Sequence, residues 1–148
     1  MSGRVDFYLL GGSDPRARHT FACRLAEKIY LRGLRAVLLT ETAEEAKALD
    51  QLLWTFSDRS FVPHSLCDVQ GADEAPVRLT ADAALAPAAD VLVNLGGAVA
   101  AGTERFARVA EIVDAEPTLR ARARERFKAY RDLQFTVETH QIDGAAEP

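Results

Sequence analysis

Between Arg120 and Arg131 the sequence RARARERFKAYR sets six basic residues and one acid into twelve positions. These are six of the chain's 18 basic residues and one of its 22 acidic ones, so a cationic segment stands in a protein whose formal charge is −4. Arg120, Arg124 and Lys128 recur at i, i+4 and i+8, a spacing that lines side chains up along one side of a helix. Phe127 and Tyr130 lie beside that row. A row of guanidinium and ammonium groups next to aromatic rings can hold an acidic peptide ending in an apolar residue, or a nucleic-acid backbone with stacked bases. The same pattern also describes an ordinary solvated helix face. Spacing alone leaves the three readings open.

Other candidate chemistry is sparser. The turn Gly11-Gly12-Ser13-Asp14 follows a strand-like run but lacks the GxGxxG and GxxxxGK[ST] patterns whose amides cradle phosphates. Ser13 or Asp14 as a helix N-cap accounts for it. Cys23 and Cys67 are isolated and read as buried free thiols, and His19, His64 and His140 are scattered, so we predict no metal and no cofactor. Glu44, Glu45, Asp82 and Asp90 read as helix-surface and cap positions, not as paired catalytic carboxylates. Trp54, Phe56 and Phe61 surround a polar Ser57-Asp58-Arg59-Ser60 turn that runs on through Val62, Pro63 and His64. Pro63 biases Val62 to an extended conformation, which makes this a loop carrying large apolar groups. Such groups either plug the core or anchor a partner protein.

The elements that must position these residues alternate between two periods. Val5–Leu10 is a near-continuous apolar run suited to a strand covered on both faces. A helix follows in which Phe21, Leu25 and Ile29 share a face with Ala22 and Ala26, and Gly33 ends it. Arg35–Thr40 is a second strand; Thr42 and Glu45 form a capping box for a helix reaching about Trp54. Ala75–Thr80, Val91–Leu95 and Ala110–Val113 are further strands. Pro117 and Thr118 open the basic helix, which closes the domain. This alternation predicts an α/β fold with a mostly parallel sheet and helices on both faces.

With 148 residues, 48% apolar and 27% charged, the chain has the size and composition of one globular domain. We take it as a single domain over residues 1–142 with a disordered tail, 143–148. No apolar run is long enough to span a membrane and the N-terminus lacks a signal-peptide pattern, so a cytoplasmic location is expected.

Three blocks, VDFYLL near the start, LLW followed by SFVPH in the middle, and RERFKAYR in the last helix, resemble the chi subunit of bacterial DNA polymerase III in order and approximate spacing. The likeness covers nearly the whole chain apart from the tail. It implies a three-layer α/β/α sandwich with a Rossmann-like sheet, and a non-catalytic adaptor of the replicase clamp loader. Its implied partners are the acidic, apolar-ended C-terminal tail of single-stranded-DNA-binding protein and a psi subunit where the organism has one, with DNA met only indirectly. Carried over by position, Arg124, Phe127 and Lys128 would bind the tail, flanked by Arg120 and Arg131, with Phe127 and Tyr130 walling a pocket for its terminal side chain. Trp54 and Phe61, with Val62 and Pro63, would face psi. Glu116 stands where the family pattern is apolar, which sets an acid at one rim of the tail groove. Two other readings remain beside this one: a direct single-stranded nucleic-acid binder using the basic helix, and a nucleotide-binding enzyme.

Overall fold

The computed structural model describes residues 3–67, 75–96 and 103–142; the expected tail, 143–148, lies outside the described residues. The elements follow as β1 (Arg4–Leu10), α1 (Pro15–Leu31), β2 (Ala36–Leu39), α2 (Ala43–Thr55), β3 (His64–Leu66), β4 (Val77–Thr80), β5 (Val91–Asn94), β6 (Arg108–Val113), α3 (Pro117–Asp132) and β7 (Thr136–Ile142). The strands form one sheet in the order β3-β4-β2-β5-β6-β1-β7, and every pairing is parallel.

The side-chain alternation of a strand divides the core in two. Ala36 and Leu38 of β2, Val91 and Val93 of β5, and Ala110 and Ile112 of β6 join Phe21, Leu25 and Ile29 of α1 and Leu49 and Leu53 of α2 on one face. Val5 and Phe7 of β1, Val37 and Leu39 of β2, Leu92 of β5 and Val109 and Val113 of β6 pack with Ala123 and Tyr130 of α3 on the other. Both faces of the central strands are thus covered, which is why those strands read as unbroken apolar runs. The α/β class and the helices on both faces stand as expected.

The element ends follow local chemistry. Asp14 caps α1 by accepting from the Arg16 amide, and Gly33, at φ 76°, leaves the helix in a left-handed conformation. Thr42 caps α2 by accepting from the Glu45 amide; Glu45 reaches back to the Glu41 amide, one residue further than a capping box requires.

Two elements differ from expectation. The chain does not close on the basic helix: Gln134, at φ 68°, turns it into β7, which runs beside β1 from Arg4↔Thr136 to Leu10↔Ile142. The sequence TVETHQI is polar because β7 is an edge strand with largely exposed side chains, so it lacks the apolar run that marks the buried strands. Residues 64–66, expected as loop, form the short opposite edge β3.

Candidate functional site

Helix α3 begins at Pro117, with Glu116 as its N-cap; the Glu116 carboxylate accepts from the Thr118 and Leu119 amides at 3.0 and 2.9 Å. Those amide bonds, the Thr118 one first, hold the Glu116 carboxyl below its usual range. The acid that breaks the apolar pattern before the proline is therefore occupied in starting the helix.

The helix is fixed to the sheet by a buried polar cluster. Glu111 of β6 has no exposed surface and accepts from the Tyr130 hydroxyl at 2.6 Å, Asn94 Nδ2 at 2.8 Å and Arg126 Nε at 3.1 Å. Burial raises the Glu111 carboxyl, against the pull of Arg126 and of the Tyr130 and Asn94 hydrogen bonds. Burial and the adjoining Glu111 also raise the Tyr130 hydroxyl, so it acts as a donor. Arg126 and Tyr130 sit at i and i+4, so one inward stripe of α3 is clamped and the neighbouring stripe is directed outwards.

That neighbouring stripe edges a cleft of about 440 Å³. Phe7 and Leu9 of β1 and Thr139 of β7 contribute its floor, and Arg120, Ala123, Arg124, Phe127, Lys128 and Arg131 its helical side. The Phe127 ring lies 5.5 Å from that of Phe7, so the apolar floor continues into the core. Arg120 is committed on one side, its Nε donating to the Asp114 carbonyl at 2.8 Å and its Nη2 to the Leu10 carbonyl at 2.9 Å. Arg124, Lys128 and Arg131 are exposed, and among the described residues no carboxylate pairs with them. The other two cations of the segment are paired: Arg122 with Glu41 at 3.2 Å and Arg126 with Glu111. Five of the six tail residues expected from sequence thus meet at one cleft. The exception is Tyr130, which is fully buried; its ring stacks edge-on against Phe7 at 6.0 Å and backs the cleft from inside the core instead of walling it. Phe7, Leu9 and Thr139 escaped the sequence reading, because the first two looked like core and the third lies on the unpredicted strand.

At the other edge of the sheet, Trp54 is 53% and Phe61 64% exposed, with ring centroids 5.7 Å apart. His64 underlies them at 4.7 Å from the Trp54 ring, its Nδ1 2.6 Å from the Val62 carbonyl and its Nε2 2.9 Å from the Asp50 carbonyl. Pro63 is partly buried at the rim, and its carbonyl accepts from the Val77 amide at 3.3 Å. Val62 is 1% exposed and belongs to the α1/α2 core, so it is not available to a partner. Alternation along this extended segment sends Phe61 out and Val62 in.

The scattered acids and histidines are also partly gathered. Asp6 of β1 lies next to Glu138 and His140 of β7, with one ligand atom of each within 4.8 Å of the others. Asp6 accepts from Arg4 Nη2 at 2.9 Å, Arg108 Nη2 at 2.7 Å and His140 Nε2 at 2.8 Å, so cationic side chains already occupy its oxygens. The arrangement suits an ion-pair network better than a cation site. Cys23 is buried, and burial pushes its thiol up to about 12; neither Cys23 nor the partly exposed Cys67 is in a disulfide.

The family model described as DNA polymerase III chi subunit, HolC, matches residues 1–138. The chain is 37% identical over 139 residues to the DNA polymerase III subunit chi of Pseudomonas aeruginosa, covering 94% of this chain and 96% of that one. Its identity to the subunit chi of Escherichia coli is 31% over 138 residues, with 90% and 94% covered. Among solved structures, T4 UvsW superposes with a TM-score of 0.70 at 12% identity, over 95% of this chain and 41% of that one, a likeness of fold alone.

Proposed function

Because the chain belongs to the DNA polymerase III chi subunit family, and so to the accessory subunits of the bacterial replicase, we propose that it is a non-catalytic adaptor in the cytoplasm. In this reading it holds the acidic C-terminal tail of single-stranded-DNA-binding protein at α3 and meets a psi subunit of the clamp loader at the opposite sheet edge.

The observation that carries the reading is the composition of the α3 cleft, an apolar floor rimmed by unpaired cations. An acidic peptide ending in an apolar side chain presents the complement. Its terminal side chain would enter above Phe7, Leu9 and Phe127. A guanidinium fork such as that of Arg124 matches a terminal carboxylate in geometry and charge. Lys128, Arg131 and the free side of Arg120 would meet the acids upstream. Trp54 and Phe61, exposed aromatic groups braced by His64, have the character of interface anchors and support the psi assignment.

Calorimetric titration with a peptide of the organism's own single-stranded-DNA-binding-protein tail tests the cleft. The expected result is salt-sensitive binding that Arg124→Ala weakens by about tenfold or more, the loss of one charge-assisted contact. Removing the peptide's last apolar residue should also abolish the heat signal. Equal binding by the variant, or by the truncated peptide, would remove the assignment.

A further inference from the structure

Strand β7 leaves one side of its backbone open. It ends the strand order, with β1 its one neighbour among the described residues. The phase of that pairing is fixed at its first residue: the Thr136 amide donates to the Gly3 carbonyl at 3.1 Å, while the Arg4 amide turns the other way, to the Ala107 carbonyl. Backbone groups of successive residues point alternately to the two sides of a strand, so Thr136, Glu138, His140 and Ile142 direct theirs to β1. Val137, Thr139 and Gln141 direct their N–H and C=O groups away from the sheet, where no described strand receives them.

Open edges are usually blunted by shortness, proline, lysine or a bulge. The opposite edge, β3, is three residues long. By contrast, β7 is seven residues long, contains neither proline nor lysine, and keeps an unbroken register with β1 from Thr136 to Ile142. Its one acid, Glu138, lies on the face opposite Thr139 and is held by Arg4 at 2.7 Å. The edge also borders the α3 cleft: Val137 packs against the core that holds Ala123 and Tyr130, and Thr139 lines the cleft itself. A strand laid against β7 would set every second side chain on the α3 side, where Arg124, Lys128 and Arg131 are exposed and no carboxylate is among the described residues lining the cleft. That charge favours an acidic occupant over the β7 of a second copy, whose side chains on this face, Val137, Thr139 and Gln141, are uncharged.

We propose that the open edge of β7 takes an extended acidic peptide as an additional strand, its backbone paired with Val137, Thr139 and Gln141 and its acidic side chains set towards Lys128 and Arg131. The inference rests on the reading of the α3 cleft as the tail site and deepens it: the terminal apolar side chain enters the cleft, and the residues before it lie along β7. Main-chain pairing supplies affinity that does not depend on side chains, and the rim cations select acids among extended peptides.

Hydrogen exchange followed by NMR on the full chain, with and without the tail peptide, tests the pairing. In the free protein the Val137, Thr139 and Gln141 amides should exchange fast and those of Glu138 and His140 slowly. Saturating peptide is expected to slow the first three by about tenfold or more. A second arm uses peptides N-methylated at one backbone amide each, which removes a donor and sets a methyl group between the strands while leaving every side chain in place. Methylation at alternate positions before the last residue should weaken binding by about tenfold or more, and at the intervening positions by less than about twofold. Tolerance or equal sensitivity at every position, or unchanged exchange at the three amides, overturns strand addition; if the unmodified peptide still binds and Arg124→Ala still weakens it, the cleft reading stands. No binding by the unmodified peptide overturns both. Protection of the three amides that grows with protein concentration in the absence of peptide assigns the edge to a second copy and likewise overturns the proposal.

Discussion

Asp6 illustrates how much one residue depends on neighbours that are distant in sequence. Its carboxylate is almost fully buried, which alone would raise its pKa, yet hydrogen bonds from Arg4, His140 and Arg108 outweigh that effect and hold it at about 2. Glu45 repeats the pattern: burial is outweighed by His19, the Glu41 amide and Arg18, which bring it to about 2. A carboxyl depressed on folding contributes stability above its unfolded pKa and loses it as the pH falls through the folded value. For Asp6, starting from 3.8, the contribution is about 2 kcal/mol, complete above pH 4 and lost towards pH 2. Thermal melts between pH 5 and 2 should therefore show a steep loss of stability, shallower in Asp6→Asn; an unchanged slope in that variant would contradict the assignment. Arg4 is only two residues from Asp6 on the same strand. The other two partners were not legible in the sequence: Arg108 and His140 lie 102 and 134 positions from Asp6, and parallel pairing of β1 with β6 and β7 brings them together.

At the scale of elements, α3 is where local sequence and tertiary packing divide the work. Helix formers, the proline at its start and the i, i+4, i+8 row were readable without a structure, and the exposed stripe followed from them. Which stripe faces inwards was not readable, because Arg126 and Tyr130 look like members of the cationic and aromatic surface. The buried carboxylate of Glu111 decides the rotation of the helix by taking both. Tyr130→Phe should cost about 1 to 2 kcal/mol in chemical denaturation, since it leaves a buried carboxylate short of a donor. It should also weaken tail-peptide binding only slightly, because the ring that backs Phe7 remains. A loss of binding as large as that of Arg124→Ala would place Tyr130 in the cleft after all. Strand β7 was missed for a related reason: an edge strand needs neither an apolar run nor strict alternation when most of its side chains meet solvent.

Across the whole molecule, the two candidate protein-binding surfaces lie at opposite ends of the strand order, the aromatic pair beside β3 and the cationic cleft over β1 and β7. Six inter-strand spacings separate the edge strands, roughly 30 Å. On the proposed reading, that separation would let two partners be held at once. Trp54→Ala combined with Phe61→Ala should leave tail-peptide affinity unchanged and, as both groups are exposed, alter stability by less than about 1 kcal/mol. A marked change in peptide affinity would mean that the surfaces are coupled. The sequence by itself determined the α/β class, the buried parallel strands and the cationic face of the last helix, because hydrophobic periodicity and helix-capping chemistry are properties of neighbouring residues. Only the tertiary structure decided that Val62 and Tyr130 turn inwards while Phe61 and Arg124 face out. It alone also made Phe7, Leu9 and Thr139 the floor of a cleft, because strand pairing and helix rotation are set by contacts between residues far apart in the chain.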